Sequence, residues 1–340
     1  MDIIEYKILQ VLSDNQYHSG EKLANLFKTS RASICKRIAK LKKDLNQFTD
    51  NNLNIISITG KGYCLNSQFD SISTDLIQDR IFNPNTIVQF FPTIGSTNDY
   101  LINSEINDNQ YYVCLTEHQT KGRGRNTINT KKSWYSPFGH NIYCSLAWHY
   151  PGNQSSLLGL SLIAGITVAE LITDLGCLDV GVKWPNDILI NNQKVAGILT
   201  EIYGDPNGGC KLVIGFGINI HNPFNNSPLF NKHIDQPWTT VAEHVSKSLS
   251  RNDLITKLLN NFIVNYELFI KHGLSFFIDI WHKFDYLKGC AVNVTVANKI
   301  KPGKYLGIDN SGAVIINIGG QEQVFHSGEI SVRATNDYIN

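Results

Sequence analysis

Three short segments carry the chemistry this chain can do. They are Gly122-Arg123-Gly124-Arg125, Lys183-Trp184-Pro185-Asn186-Asp187 and Lys194-Val195-Ala196-Gly197. Each sets cations or amide groups beside glycine or a tight turn. Arg123 and Arg125 alternate with two glycines, so the backbone can approach a ligand closely and turn N–H groups toward an anion. The forked Arg donor suits carboxylate and phosphate. Lys194 follows Asn191-Asn192, a turn signal between the apolar runs Ile188-Leu189-Ile190 and Val195 to Leu199. It therefore enters a strand from a hairpin, which holds its ammonium group in place. Two Arg and two Lys around glycine-rich backbone read as a site for a negatively charged small molecule, a nucleotide together with a carboxylate. Taken singly, an Arg-Gly pair is most often a surface loop, and a Lys after Asn-Asn most often lies in solvent. Trp-Pro followed by the turn chemistry of Asn-Asp is less ordinary.

Other segments fall in order around these. Ser96-Thr97-Asn98, then Gln119 ahead of the GRGR run, Trp134-Tyr135-Ser136-Pro137-Phe138-Gly139, KWPND, KVAGIL and Ile214-Gly215-Phe216-Gly217-Ile218-Asn219 follow one another along the chain. Together they resemble the biotin–protein ligase family, and with both chain ends added, its bifunctional bacterial members that also act as biotin operon repressors. The resemblance covers nearly the whole chain. It implies an α+β architecture in three parts: a winged helix-turn-helix over 1–67, a central α/β ligase domain with a mixed sheet over 68–287, and an SH3-like small β barrel over 288–340.

The resemblance also implies a reaction. Biotin's carboxylate attacks the α-phosphate of ATP, giving biotinyl-5′-adenylate and pyrophosphate; a lysine amine of biotin carboxyl carrier protein then takes the biotinyl group and expels AMP. The first step brings two anions together, so cations are needed to offset repulsion and stabilise the charge growing in the transition state. The expected catalytic residues are Lys194, between carboxylate and α-phosphate, Arg125 and Asp187. Asp187 could orient Lys194, accept a proton from the incoming amine, or simply cap a buried turn. The biotin pocket implied by the family comprises Ser96, Thr97, Asn98, Gln119, Gly122, Arg123, Gly124, Arg125, Lys194 and Gly197. The nucleotide falls to Arg123, Arg125, Trp134, Lys183, Asn186, Gly215, Gly217 and Asn219. Trp134 could instead be core, as Trp commonly is. Mg²⁺ is expected to be held mainly by phosphates and water, with no dedicated protein cage.

The elements that must position these residues begin with a basic first domain. Residues 1–65 hold ten Lys and Arg against six Asp and Glu, a balance of +4, which leaves −3 for the rest of a chain whose net charge is +1. Ile3, Ile4, Ile8 and Leu12 recur at helical spacing; Ser19 is placed to cap a second helix, and Thr29-Ser30 starts a third with Ile34, Ile38 and Leu41 facing inward. Short helices around a tight turn read as helix-turn-helix. Between Lys28 and Lys43 there are seven cations and no acid. Such a helix suits a DNA groove, where phosphate neutralisation supplies affinity and the helix start reads base edges. Ser30, Arg31, Ser33, Lys36, Arg37 and Lys40 are the DNA-contact candidates. Ile55 to Ile58, Gly60-Lys61-Gly62 and Tyr63 to Leu65 read as a wing with Lys61 at its tip. The stretch Asn46–Leu53 is longer than in the family.

In the middle of the chain, strands are expected at Ile87–Phe91, Tyr112–Thr116, Asn141–Trp148 and Val213–Gly217, a hairpin over Lys183–Glu201, and a long apolar helix at Leu157–Leu175. Ser96 is also placed to cap a helix. The loop Asn126–Ser133 is longer than in the family, and its charge lies in Lys131 and Lys132; a longer loop adds only a slowly growing entropic term to its closure over an intermediate. No G-x-G-x-x-G opens a helix and no G-x-x-x-x-G-K-[ST] occurs, so ATP must be held by another architecture. Helical spacing over Leu254–Phe269 and Leu274–Phe284 gives way after Cys290 to four or five short strands separated by turns.

Seven scattered cysteines with no C-x-x-C pair point to a reducing compartment and away from a zinc ribbon; His118, His140 and His149 are isolated, and no metal site is expected. The expected location is the cytoplasm, with no membrane association. The expected partners are biotin carboxyl carrier protein (a subunit of acetyl-CoA carboxylase or of another biotin-dependent carboxylase), operator DNA and a second copy of the chain, with biotinyl-5′-AMP as corepressor. Three other readings remain open on sequence: a ligase whose winged helix no longer regulates, a non-enzymatic ligand-sensing repressor, against which the retained Lys194 and GRGR argue, and a lipoate-type ligase.

Overall fold

The structure is a computed structural model that describes residues 1–48, 53–125, 132–205, 208–222, 236–296, 299–327 and 330–335, without the side chains of Gln47 and Phe48. The chain opens with α1 (Ile3–Leu12), α2 (Gly20–Leu26) and α3 (Arg31–Phe48). Asp2 and Glu5 cap α1 reciprocally, each side chain accepting from the other's backbone N–H at 2.9 and 2.8 Å. This cap fixes which face turns inward. Tyr6, Ile8, Leu9 and Leu12 are buried, whereas Ile3 and Ile4, part of the expected apolar stripe, are 47% and 38% exposed. Ser19 caps α2 by accepting from Lys22 N at 3.1 Å. Ile34, Ile38 and Leu41 pack inward from α3 as their spacing predicts. β1 (Ile55–Ile58) and β2 (Gly62–Leu65) pair antiparallel as the wing, and His18 exchanges backbone hydrogen bonds with Tyr63 of β2.

A connecting segment and α4 (Thr74–Arg80) lead to β3 (Thr86–Phe91), α5 (Thr97–Asn103), β4 (Tyr111–Thr116) and β5 (Ile142–Tyr150). Then come α6 (Leu160–Asp174), β6 (Val180–Lys183), β7 (Asp187–Ile190), β8 (Gln193–Gly204) and β9 (Cys210–Ile218). The strands form one seven-stranded sheet in the order β3-β4-β5-β9-β8-β7-β6. Only β3 and β4 run parallel, so the sheet is mixed as expected. Alternate residues of the central strands serve its two faces. Val113, Leu115, Leu212 and Ile214 join the main core with α6 and α7 (Arg251–His272), while Cys114, Ala147 and Val213 pack with Leu101 of α5 on the other side. The apolar segment Gln154–Asp174 has the length and composition to cross a membrane, yet 67% of its apolar window is buried inside the protein, as for a core helix.

After α8 (Ile278–Phe284) the chain forms β10 (Ala291–Val296), β11 (Lys299–Ile308), β12 (Val314–Ile318), β13 (Gln321–Phe325) and β14 (Ile330–Ala334). These make an antiparallel sheet ordered β13-β12-β11-β10-β14. Its core is continuous with the central one through Val292, Tyr305 and Ile316. Trp184 Nε1 donates to Gly312 O at 2.9 Å, which ties the KWPND turn to this last sheet.

Candidate functional site

One cleft gathers most of the residues singled out by sequence. Ser96, Thr97, Asn98, Gln119, Arg123, Gly124, Arg125, Trp134, Asn186, Asp187, Lys194, Gly197, Gly215 and Gly217 all line it, with Ile198, Leu199 and Phe216 between them.

At one end the start of α5 is fixed from several sides. Ser96 Oγ accepts from Asp99 N as the helix cap. Gln119 Oε1 accepts from Thr97 N at 2.9 Å and Thr97 Oγ1 at 3.1 Å, while Gln119 Nε2 donates to Ser136 Oγ at 3.1 Å. Ser145 Oγ on β5 lies 2.6 Å from both Thr97 Oγ1 and Asn98 Oδ1. These buried hydroxyl and amide groups form a rigid polar constellation suited to a neutral, donor- and acceptor-rich ring. Gly215 is needed beneath it, because a Cβ there would sit 2.2 Å from Asn98 Oδ1. Trp134 lies on the backbone of β8 and β9; a Cβ on Gly217 would come 2.5 Å from its ring.

At the other end is the charged group. Asn191 and Asn192 both have positive φ, 48° and 64°, as a two-residue hairpin turn requires. The turn returns the chain so that Lys194 Nζ meets Asp187 Oδ1 at 2.7 Å and stands 5.4 Å from the Trp134 ring centre. Asn186 Nδ2 donates to Ile198 O at 2.7 Å and pins the KWPND turn against β8. Burial lowers the Arg125 pKa, partly offset by the Asp187 charge. Burial also lowers that of Lys132; Asp187 opposes this, while Lys194, Arg333 and Arg125 reinforce it. Arg125, Lys132, Lys194 and Arg333 thus share one field in which Asp187 is the opposing charge. Such a field favours a polyanion.

Four of the expected site residues have other partners in the structure or lie outside the cleft. Arg123 lines the cleft, but its guanidinium is already engaged. It donates to both oxygens of Glu201, at 2.8 and 2.6 Å, and its Nε lies 2.8 Å from Asp99 Oδ1. The Glu201 hydrogen bond raises its pKa. Glu201 also accepts from Asn98 Nδ2 at 2.8 Å. Burial pushes the Glu201 carboxyl up, but the hydrogen bonds from Arg123 and Asn98 outweigh it and hold the group below its usual value. Arg123 therefore braces the GRGR segment against β8 and α5. Lys183 does not line the cleft; its ammonium lies 5.7 Å from the Tyr286 ring centre. Asn219 and Gly122 lie outside it too. Asn219 Nδ2 donates to Thr239 O, and Gly122 O accepts from Trp134 N at 2.9 Å.

Glu201, Ser145 and Arg333 were not expected from sequence. Glu201 and Ser145 sit in ordinary strand patterns, and only pairing with distant residues exposes their role. Most of the loop Asn126–Ser133, including Lys131, lies outside the described residues. We expect Glu201→Ala to free the terminal nitrogens of Arg123 and loosen Asn98 Nδ2, and to cost about 1.5–3 kcal/mol in ligand binding, the range for a hydrogen bond to a charged group. Calorimetric titration with the small-molecule acid would show this as a Kd raised by roughly ten-fold or more; an unchanged Kd would remove the bracing role.

Two of the three isolated histidines have structural partners. His118 Nδ1 lies 2.7 Å from Ser136 O, and His149 pairs with Asp108 at 3.2 Å. Burial, with Arg251 nearby, pushes His140 down to about 4. Among the described residues no group of three His, Cys, Asp or Glu side chains could hold a metal.

On α3, Arg31 and Lys36 are exposed and Ser33 is half-buried, with Lys61 on the wing 5.9 Å from the Tyr17 ring centre. Three other DNA candidates have partners within the domain. Ser30 Oγ accepts from Ser33 N as the α3 cap, Arg37 pairs with Asp2 at 2.8 Å, and Lys40 with Glu5 at 2.8 Å. The acids that occupy Arg37 and Lys40 come from α1, across the helix packing.

Three family models match the chain: an HTH domain over residues 5–64, the biotin/lipoate A/B protein ligase family over 90–219, and the biotin protein ligase C terminal domain over 289–333. The chain is 34% identical to the bifunctional ligase/repressor BirA of Salmonella typhimurium over 327 residues, covering 96% of this chain and 97% of that protein. It is 32% identical to the BirA of Escherichia coli over 331 residues, covering 97% and 98%. Among solved structures, the biotin protein ligase from Aquifex aeolicus in complex with biotin and ATP matches with a TM-score of 0.60 and 25% identity, covering 73% of this chain and 99% of that one.

Proposed function

The chain belongs to the family of the bifunctional ligase/repressor BirA, and on that premise we propose how its residues divide the work. The protein is an ATP-dependent biotin–protein ligase that is also a biotin-responsive transcriptional repressor. Residues 1–67 bind operator DNA, 68–287 hold biotin and ATP, and 288–340 bring Arg333 within electrostatic range of Lys132.

The polar end formed by Ser96, Thr97, Asn98 and Gln119 takes the ureido ring of biotin. The carboxylate then extends toward Lys194, where MgATP presents its α-phosphate. Asp187, paired with Lys194 at 2.7 Å, holds the ammonium group in place, which supports the orienting role over that of a proton acceptor or a turn cap; magnesium enters with the nucleotide, held mainly by phosphates and water. A carboxylate oxygen attacks the α-phosphorus, the bond to the bridging oxygen breaks, and pyrophosphate leaves. Lys194 and Arg125 lower the repulsion between the two anions and stabilise charge on the transferring group. Trp134 lies over Gly197 and Gly217 as a surface for the adenylate. In the second half-reaction the carrier's lysine nitrogen attacks the acyl carbon, and the acyl–phosphate bond breaks to release AMP. The observation that carries this reading is the Lys194–Asp187 pair opposite the rigid polar end within one cleft.

Incubation with biotin, MgATP and a carrier domain, followed by mass measurement, tests it. We expect one biotinyl group on the carrier; a carrier of unchanged mass, or one that takes lipoate instead, would contradict it. On the DNA side, Lys36→Ala is expected to weaken duplex binding in biotin and MgATP and to reduce the salt dependence by about one counterion per binding unit, with ligase turnover intact. Equal salt slopes would take Lys36 off the DNA surface. Two half-sites suit a symmetric dimer, so the DNA-bound form is a homodimer in this account. The free cysteines agree with a cytoplasmic setting.

A further inference from the structure

We propose that Tyr6, on the first helix of the DNA-binding domain, is a positioning residue for the biotin end of the ligase cleft, acting through Glu117 on Gln119. This rests on the reading of that end as the biotin site.

Glu117 follows β4 and is fully buried, as are Arg251 at the start of α7 and, to 1%, Tyr6. Arg251 Nη1 donates to Glu117 Oε2 at 2.6 Å and Nη2 to Oε1 at 3.2 Å. Tyr6 OH donates to Glu117 Oε1 at 2.5 Å, and Ile72 N donates to the same oxygen at 3.1 Å. Burial and the Glu117 charge both raise the Tyr6 pKa well above its usual value, so the phenol keeps the proton it donates. A buried carboxylate is costly unless its lone pairs are satisfied, and the phenol is one of its few donors.

The lever from Glu117 to the cleft is two residues long and stiff. Thr116 Oγ1 accepts from His118 N at 3.2 Å and donates to His118 O at 3.0 Å, closing a tight turn. On its cleft side this turn is held by His118 Nδ1 to Ser136 O and by Gln119 to Thr97 and Ser136. On its far side Glu117 is the anchor. A displaced Glu117 moves Gln119, and with it the cap of α5. The fused first domain is thereby part of the ligase site, although Tyr6 lies 111 residues from Glu117 in sequence.

Tyr6→Phe removes the hydroxyl and keeps the ring against Phe69 and Phe90. Gln119 contacts biotin in ground and transition states alike, so the loss falls on KM and not on kcat. In biotin-dependent ATP–pyrophosphate exchange with the full chain, we expect the KM for biotin to rise about five-fold or more, with kcat and the KM for ATP within about two-fold of the unaltered protein. Ile8→Val is the control. It loosens the same helix by trimming a fully buried side chain outside this network, and it is expected to leave the KM for biotin unchanged. The proposal is overturned by an unchanged KM for biotin in Tyr6→Phe, or by an equal rise in Ile8→Val. Absence of exchange in the unaltered protein would instead overturn the biotin reading and this proposal with it.

Discussion

Lys194→Ala is expected to lower the rate of biotin-dependent ATP–pyrophosphate exchange by about 10²–10³-fold, the effect of losing one preorganised charge at a developing anion. The fold should survive. Lys194 is at the edge of the core, and Asp187, its partner at 2.7 Å, keeps 26% side-chain exposure, so water can solvate the carboxylate left behind. The variant should therefore melt within a few degrees of the unaltered protein and still bind biotin through the polar end of the cleft. The same substitution leaves Arg125 and Lys132 in place, so some activity remains. Exchange near the unaltered rate in a folded variant would move the chemistry away from Lys194.

The second large effect concerns stability. Arg251→Met leaves Glu117 as a buried charge without its main partner, and breaking such a pair costs about 3–5 kcal/mol. That is a large fraction of the 5–15 kcal/mol that typically holds a domain folded. The loss should be visible as a lower midpoint in urea. The double variant Arg251→Met/Glu117→Leu removes both charges together and should recover part of the loss, because the penalty arises mainly from the orphaned carboxylate. A single variant as stable as the unaltered chain would show that Arg251 is not what compensates Glu117. A double variant less stable than the single would show that the cost lies in packing instead.

Local signals in the sequence predicted what local physics decides. Ile34, Ile38 and Leu41 lie on the buried face of α3, Ser19 and Ser96 cap their helices, and Asn191-Asn192 makes the turn that delivers Lys194. Motif order placed fourteen expected residues in one cleft. What sequence could not supply was the choice among partners brought together by folding. Arg123 looks like an anion binder until Glu201, 78 residues on, occupies both its terminal nitrogens. Arg37 and Lys40 count as free cations on a basic helix until α1 packs Asp2 and Glu5 against them. Lys183 shares a motif with Asp187, yet it ends beside Tyr286. Tyr6, Glu117 and Arg251 are unremarkable one at a time, and their meaning exists only where three distant segments meet.

In the proposed reaction this cleft joins biotin's carboxylate to the α-phosphate of ATP. Exchange of labelled pyrophosphate into ATP measures that step directly, without carrier protein or DNA. We expect label in ATP when biotin is present and none when biotin is omitted or replaced by lipoate. Label entering ATP without biotin, or no label with it, would contradict that reaction.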